Sequence, residues 1–106
     1  MGKEELKNLI AELKQALNSA LKDKFSELIL FGSYARGDYK PESDIDFILL
    51  LKEPLTKAER EALSEISSEL SLKYDAVLVC FKYLESEFKD RSSPMLRNVK
   101  REGIRV

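Results

Sequence analysis

The fold of this chain is decided by two neighbouring stretches, LILFGSYARG over residues 28–37 and SDIDFILLL over residues 43–51. Each joins an apolar run, which predicts a buried strand, to polar residues at one of its ends. Ten residues separate the Gly32-Ser33 dipeptide of the first stretch from the Asp44-Ile45-Asp46 triplet of the second. Because both polar groups adjoin predicted strands, we expect the sheet to hold them rigidly.

Gly32 and Ser33 have the features of a phosphate-binding turn. Gly32 follows a strand and precedes residues 33–36, which the pattern predicts to form one helical turn that Gly37 stops. A residue without a side chain lets the backbone approach an anion, and amides at a helix N-terminus point toward it. The Ser33 hydroxyl can donate to a phosphate oxygen, and Arg36 reaches either the same anion or solvent. An ordinary Gly-Ser turn is the alternative.

Asp44 and Asp46 have the spacing of a metal-binding pair. Side chains two positions apart on a strand share a face, with their bases roughly 6–7 Å apart. Two such carboxylates in a partly buried site repel by on the order of 3 kcal/mol at an effective dielectric of about 20, so they need a cation. Oxygen ligands favour Mg²⁺ or Mn²⁺ over zinc. Two solvated aspartates at a frayed strand start are the alternative, and the link to Gly32-Ser33 favours the metal-bound triphosphate site.

Asp75 is the candidate for a third carboxylate. It opens a third predicted strand over residues 74–81. If the third strand lies beside the second, Asp75 can reach the metals and act as a ligand or a base. Otherwise Asp75 simply begins a strand. The sequence leaves both interpretations open.

The remaining pattern predicts the fold class. Helical periodicity covers residues 3–22 and 56–72, and the second helix has a capping box of Thr56 and Glu59. A Ser93-Pro94 start predicts a last helix that Gly103 ends. With strands over residues 25–31, 44–51 and 74–81, the result is a single α/β (α+β) domain over residues 1–106, with one mixed sheet flanked by helices. The expected sheet interior contains Ile29, Phe31, Phe47, Leu49, Val77 and Val79.

Composition limits the chemistry and the partners. Eighteen Lys and Arg against nineteen Asp and Glu give a net charge of −1, which argues against a nucleic-acid-binding surface. The absence of histidine excludes His-based acid–base catalysis and His-ligated zinc. A lone Cys80 in an apolar run indicates a core thiol, which fits a reducing cytoplasm. No stretch approaches the roughly 20 apolar residues of a membrane span, so we expect a cytoplasmic protein.

Residues 32–37 and 43–46 resemble the phosphate loop and metal-binding pair of the minimal nucleotidyltransferases (MNT) in the DNA polymerase β-like superfamily. The resemblance extends over nearly the whole chain and includes residues 98–104. It implies that superfamily's fold, with Asp44 and Asp46 as Mg²⁺ ligands and Gly32 and Ser33 on the triphosphate. Two Mg²⁺ ions are implied, and a third carboxylate completes the ion that activates the acceptor.

The same resemblance implies a biological context. Small members of the family occur as antitoxins paired with a HEPN-domain toxin, and in the better-understood pairs the MNT protein transfers AMP from ATP to a toxin tyrosine. We therefore expect ATP as substrate and a HEPN-domain toxin as partner. Two alternatives stay open. The first is a non-catalytic nucleotide-binding or partner-binding antitoxin subunit. The second is a small-substrate nucleotidyltransferase, in which a homo-oligomer or a second subunit would supply the substrate-binding segment that this chain lacks.

Overall fold

The computed structural model describes residues 1–90 and 94–106. Its first helix is followed by a short 3₁₀ turn, Lys22–Lys24, that leads into the first strand. The elements in chain order are α1 (Lys3–Leu21), β1 (Phe25–Phe31), α2 (Ser33–Arg36), β2 (Ile45–Leu51), α3 (Lys57–Tyr74), β3 (Leu78–Leu84), α4 (Glu85–Asp90), α5 (Pro94–Glu102) and β4 (Ile104–Arg105). No helix within the described residues is both long and apolar enough to cross a membrane.

The described strands form one mixed sheet in the order β3-β2-β1-β4. The central pair, β1 and β2, is antiparallel, with Phe31 opposite Asp46. The β2 and β3 strands are parallel, with Asp46 opposite Val79. The helix α3 makes the crossover that a parallel pair requires. The predicted mixed sheet flanked by helices is confirmed.

Side chains of β2 alternate between two cores, one on each face of the sheet. Phe47 and Leu49 are fully buried in the first cluster, which contains apolar residues of α1 and α3. Ile48 and Leu50 belong to the second cluster, with residues from α4 and α5. This double cover explains why residues 47–51 are apolar without interruption, since both faces of the strand are buried.

Several predicted elements are confirmed closely. The first strand covers residues 25–31 as predicted, and residues 33–36 form a helical turn that Gly37 stops in a left-handed conformation. Thr56 and Glu59 form the predicted capping box, in which each side chain bonds the other residue's backbone amide. The last helix ends at Glu102, before Gly103, although Ser93, its predicted N-cap, lies outside the described residues.

The predicted start of the third strand is wrong. The helix α3 continues to Tyr74, and β3 begins at Leu78 rather than residue 74. The reason is a set of bonds to Ser71, whose carbonyl accepts the amides of Asp75 and Ala76 and whose hydroxyl accepts the amide of Leu78. Val77 consequently precedes the strand and is 56% exposed, so its predicted place in the sheet interior is also wrong.

Candidate active site

Gly32 occupies a backbone conformation that other residues rarely adopt. Its φ of 76° and ψ of −155° fall in a region that is almost confined to glycine. Its carbonyl accepts the amides of Ala35 and Arg36, each at 3.1 Å, which closes the short helix α2. A Cβ atom placed on Gly32 would lie 2.6 Å from Oδ2 of Asp46. The backbone of the turn therefore touches the carboxylate directly.

The sheet register creates this contact. Phe31, the last residue of β1, pairs with Asp46 on β2, so the turn after Phe31 passes next to the Asp46 side chain. Asp44 lies one residue before β2 and is exposed, whereas Asp46 is partly buried. Asp46 thus meets the turn where β1 ends and β2 begins, and Asp44 lies near enough to Asp46 to raise its pKa. The structure brings together Gly32, Asp46 and Asp44.

The electrostatics of the pair indicate a need for positive charge. Burial raises the pKa of Asp46, and the neighbouring Asp44 carboxylate raises it further. The positive charge of Arg36 lowers the pKa of Asp46, so the Arg36 guanidinium lies near the pair. A partly buried carboxylate beside a second one, with only oxygen atoms as donors, fits a hard divalent cation that takes further ligands from phosphate and water.

Arg36 joins the Gly32 turn to the last helix. Its guanidinium contacts Asp38 at 3.3 Å and Glu102 of α5 at 3.6 Å. Beside it lies a cavity of about 180 Å³, lined by Phe31, Gly32, Arg36, Asn98, Val99 and Glu102. The sequence did not identify Glu102 and Asn98 as site residues, although both lie within residues 98–104, which carry part of the family resemblance. Their contact with the Arg36 region has no local sequence signal, because they lie on a helix some sixty positions further along the chain.

Asp75 is the predicted site residue that the structure leaves apart. It caps α3 in a left-handed conformation, with φ and ψ both 50°, and its side chain is exposed. Within the described residues, no three or more acidic, cysteine or histidine side chains group to hold a metal. The structure therefore does not place Asp75 with Asp44 and Asp46, and its predicted role as third carboxylate stays a prediction.

Tyr34 and Tyr39 flank the turn and pack on each other. Their rings are stacked at a centroid distance of 4.1 Å, and Tyr34 is buried. Burial raises the pKa of the Tyr34 hydroxyl. The Tyr39 hydroxyl donates to the carbonyl of Met1 at 3.4 Å. These contacts hold the outer side of the turn against the start of α1.

Comparison with known proteins finds relatives in sequence and solved structures of similar fold. "Putative protein adenylyltransferase MJ0141" of Methanocaldococcus jannaschii is 47% identical over 74 residues, which cover 70% of this chain and 75% of that protein. A spectinomycin adenyltransferase from an enterococcus, solved with ATP and spectinomycin, superposes with a TM-score of 0.71 at 26% identity. That match covers 83% of this chain and 38% of the larger enzyme.

An antitoxin from a solved toxin–antitoxin complex has the same fold. The MNT antitoxin solved with a tri-AMPylated HEPN toxin of Shewanella oneidensis superposes with a TM-score of 0.61 at 19% identity, covering 93% of this chain and 69% of that one. Residues 10–105 match the sequence family described as the nucleotidyltransferase domain. With that match spanning nearly the whole chain, the protein belongs to the nucleotidyltransferase domain family.

Proposed function

We propose that this protein transfers AMP from ATP to a hydroxyl group of a partner protein, and that the partner is a HEPN-domain toxin that it neutralises as an antitoxin. The observation that carries the proposal is the contact between the Gly32 turn and the Asp46 carboxylate. A turn suited to phosphate and a pair suited to a divalent cation adjoin where the central strand β1 ends and the central strand β2 begins. That arrangement matches the chemistry of a metal-bound triphosphate.

Each site residue has a distinct role in the proposed reaction. Gly32 lets the triphosphate approach the backbone, the Ser33 hydroxyl donates to a phosphate oxygen, and Arg36 supplies positive charge from the α5 side. Asp44 and Asp46 would hold Mg²⁺, with two ions expected. When bound, Mg²⁺ neutralises phosphate charge and favours ionisation of the acceptor hydroxyl. Catalysis on these residues would consist mainly of positioning and charge neutralisation.

The proposed transfer is an in-line displacement at the α-phosphorus. The acceptor oxygen forms a bond to that phosphorus while the bond to the bridging oxygen breaks. Pyrophosphate leaves with the electron pair of the broken bond, and the acceptor hydroxyl loses its proton to solvent. The missing histidine is no obstacle, because this chain needs to orient groups and balance charge rather than supply an imidazole base.

Mass spectrometry of the partner tests the proposal. After incubation with ATP, Mg²⁺ and a HEPN-domain partner protein, we expect a mass increase of one or more AMP groups on the partner. The D46N variant should lose labelling by about a hundredfold or more, since a metal ion contributes several kcal/mol of transition-state stabilisation. The matched control is E42Q, which removes an exposed carboxylate from the loop before Asp44. Equal labelling by D46N and wild type would exclude the mechanism.

A non-catalytic antitoxin is the second candidate. The observation in its favour is that no three acidic groups cluster in the described part of the chain. A D44N/D46N double variant that still protects cells from the toxin, with no AMP on the partner, would favour neutralisation by contact alone. Loss of protection together with loss of AMP would favour the enzyme.

Asp75 has its own test within this proposal. Since no three acidic side chains of the described residues group to hold a metal, we expect D75N to bind Mg²⁺ and ATP with unchanged affinity in calorimetry. Asparagine tolerates the left-handed conformation of this position, so the helix cap should survive. Retained nucleotide affinity with lost transfer would support the third-carboxylate role on the acceptor side. Retained transfer would exclude it.

A further inference from the structure

The end of α5 nearest the Gly32 turn is fixed on the sheet. Val99 is buried, and its carbonyl accepts the amide of Gly103 at 2.7 Å. A Cβ atom placed on Gly103 would lie 2.7 Å from Cγ2 of Ile29, so the chain touches β1 directly at this point. The next residues form β4, which pairs with β1. Glu102, the last residue of α5, therefore has its backbone held on the strand that leads into Gly32.

Arg36 has two acidic neighbours, and they hold it in different ways. Its Nε donates to Asp38 at 3.3 Å, and its Nη1 lies 3.6 Å from Oε2 of Glu102. Asp38 follows Arg36 by two residues and its side chain is 64% exposed, so this contact stays within the loop. The contact with Glu102 instead ties the guanidinium to the sheet. Within the described residues these ion pairs involve Nε and Nη1, so the N–H donors of Nη2 can serve a third acceptor.

In this position the Arg36 guanidinium borders the proposed phosphate site. Arg36 and Glu102 line the same cavity, of about 180 Å³, as Gly32. The charge of Arg36 also reaches Asp46, whose pKa it lowers. Ordering a free arginine side chain removes much rotamer freedom, so a guanidinium that is already held in place binds an anion more tightly. The ion pair with Glu102 therefore prepares Arg36 to bind a phosphate oxygen.

We propose that Glu102 is a positioning residue for nucleotide binding, which acts through Arg36 by holding its guanidinium beside the Gly32 turn for a phosphate group. The inference rests on the proposed nucleotidyl transfer. Both side chains of the ion pair are nearly half-exposed, and ion pairs of this kind contribute little to stability. The contact therefore affects the position of Arg36 rather than the stability of the fold.

The sign of the effect separates this role from simple electrostatics. A carboxylate beside a polyanion repels it, so removing the charge of Glu102 would by itself tighten nucleotide binding. A carboxylate that competed with phosphate for Arg36 would also give tighter binding when it is removed. Of these three roles, only positioning predicts that the loss of the Glu102 carboxylate weakens nucleotide binding.

Calorimetric titration of the full chain with Mg²⁺ and a non-hydrolysable ATP analogue tests the proposal. We expect E102Q to weaken the affinity for the analogue by about 3- to 10-fold, the effect of ordering one long side chain on binding. E65Q makes the same change of charge at an exposed position of α3 and should bind the analogue as wild type does. An affinity of E102Q equal to or higher than that of wild type would overturn the proposal.

A double-mutant cycle with R36Q separates positioning from a purely structural effect. R36Q removes the guanidinium and should weaken binding of the analogue by itself. In the R36Q background, E102Q should cause no further loss of affinity, because Glu102 then has no guanidinium to position. A further loss of the same size would show that Glu102 acts independently of Arg36, which would overturn the proposal. If the wild type does not bind the analogue at all, the proposed function itself fails.

Discussion

At the residue scale, Gly32 decides whether the site can form. Its positive φ and its contact with Asp46 both exclude a side chain. We expect G32A to lose stability by about 1–3 kcal/mol from backbone strain and to displace the Asp46 carboxylate, which weakens binding of the ATP analogue. Urea unfolding and calorimetry measure the two effects separately.

Gly37 provides the matched control for that variant. It also has a positive φ, of 87°, but an added Cβ would meet no atom within 4 Å. G37A should therefore lose a comparable amount of stability and keep its nucleotide affinity. Equal loss of affinity in both variants would show that strain in the turn, rather than crowding of Asp46, explains the defect.

The spacing of Asp44 and Asp46 predicted that the two carboxylates lie close together, because alternate side chains of a strand share a face, and Asp44 raises the pKa of Asp46. The contact of Gly32 with Asp46 depends instead on the register between β1 and β2. Contacts between distant helices have no such rule. The Arg36–Glu102 ion pair and the Phe31–Phe81 ring pair depend on how α5 and β3 dock, which local patterns do not encode. The residues that surround the aspartate pair are therefore determined by how the helices and strands pack, not by motif spacing.

At the scale of elements, the start of α3 is the best-specified feature outside the site. The Glu59 side chain accepts from Lys24 at 2.7 Å and from the amide of Thr56, which together lower the pKa of Glu59 to about 2. Since this pKa is lower in the folded chain than its usual 4.5, the contribution to stability is present above pH 4.5 and is lost as the pH falls toward 2.

The E59Q variant tests this linkage. We expect its urea midpoint to be lower than that of wild type at pH 7, and the difference should shrink as the pH is lowered from 4.5 to 2. E61Q, an exposed glutamate two residues along the same helix, serves as the control and should show no such change. A difference between E59Q and wild type that is constant with pH would contradict the assignment.

The late start of β3 shows where element prediction failed. Residues 74–77 are apolar enough to continue a strand, yet the Ser71 bonds and the bond from the Tyr74 hydroxyl to Glu12 of α1, at 2.5 Å, favour helix and turn. The Ser71 bonds are local bonds at the helix C-terminus, whereas the Tyr74–Glu12 bond is a tertiary contact, and such contacts override local strand propensity.

At the scale of the whole molecule, ligand binding should stabilise the fold. Asp46 lies on β2, the strand that both cores share, so a ligand held there acts on the entire sheet. At a nucleotide concentration of about 100 times Kd, linkage gives about 2.7 kcal/mol, and a domain of this size gains roughly 4–8 °C in Tm per kcal/mol. We expect Mg²⁺ and the ATP analogue to raise Tm by about 10 °C or more.

The D44N/D46N double variant should show almost none of that increase. Its own Tm without ligands should not fall below that of wild type, because the substitutions remove two neighbouring carboxylates that repel each other. A drop in Tm of the unliganded double variant would mean that the pair stabilises the fold by itself.

Anomalous diffraction from crystals grown with Mn²⁺ and a non-hydrolysable ATP analogue tests the central claim most directly. We predict a manganese peak at bonding distance from the carboxylates of Asp44 and Asp46, with the phosphates against the Gly32 turn and the Ser33 hydroxyl. A nucleotide bound elsewhere, or a manganese peak that touches neither aspartate, would contradict the account.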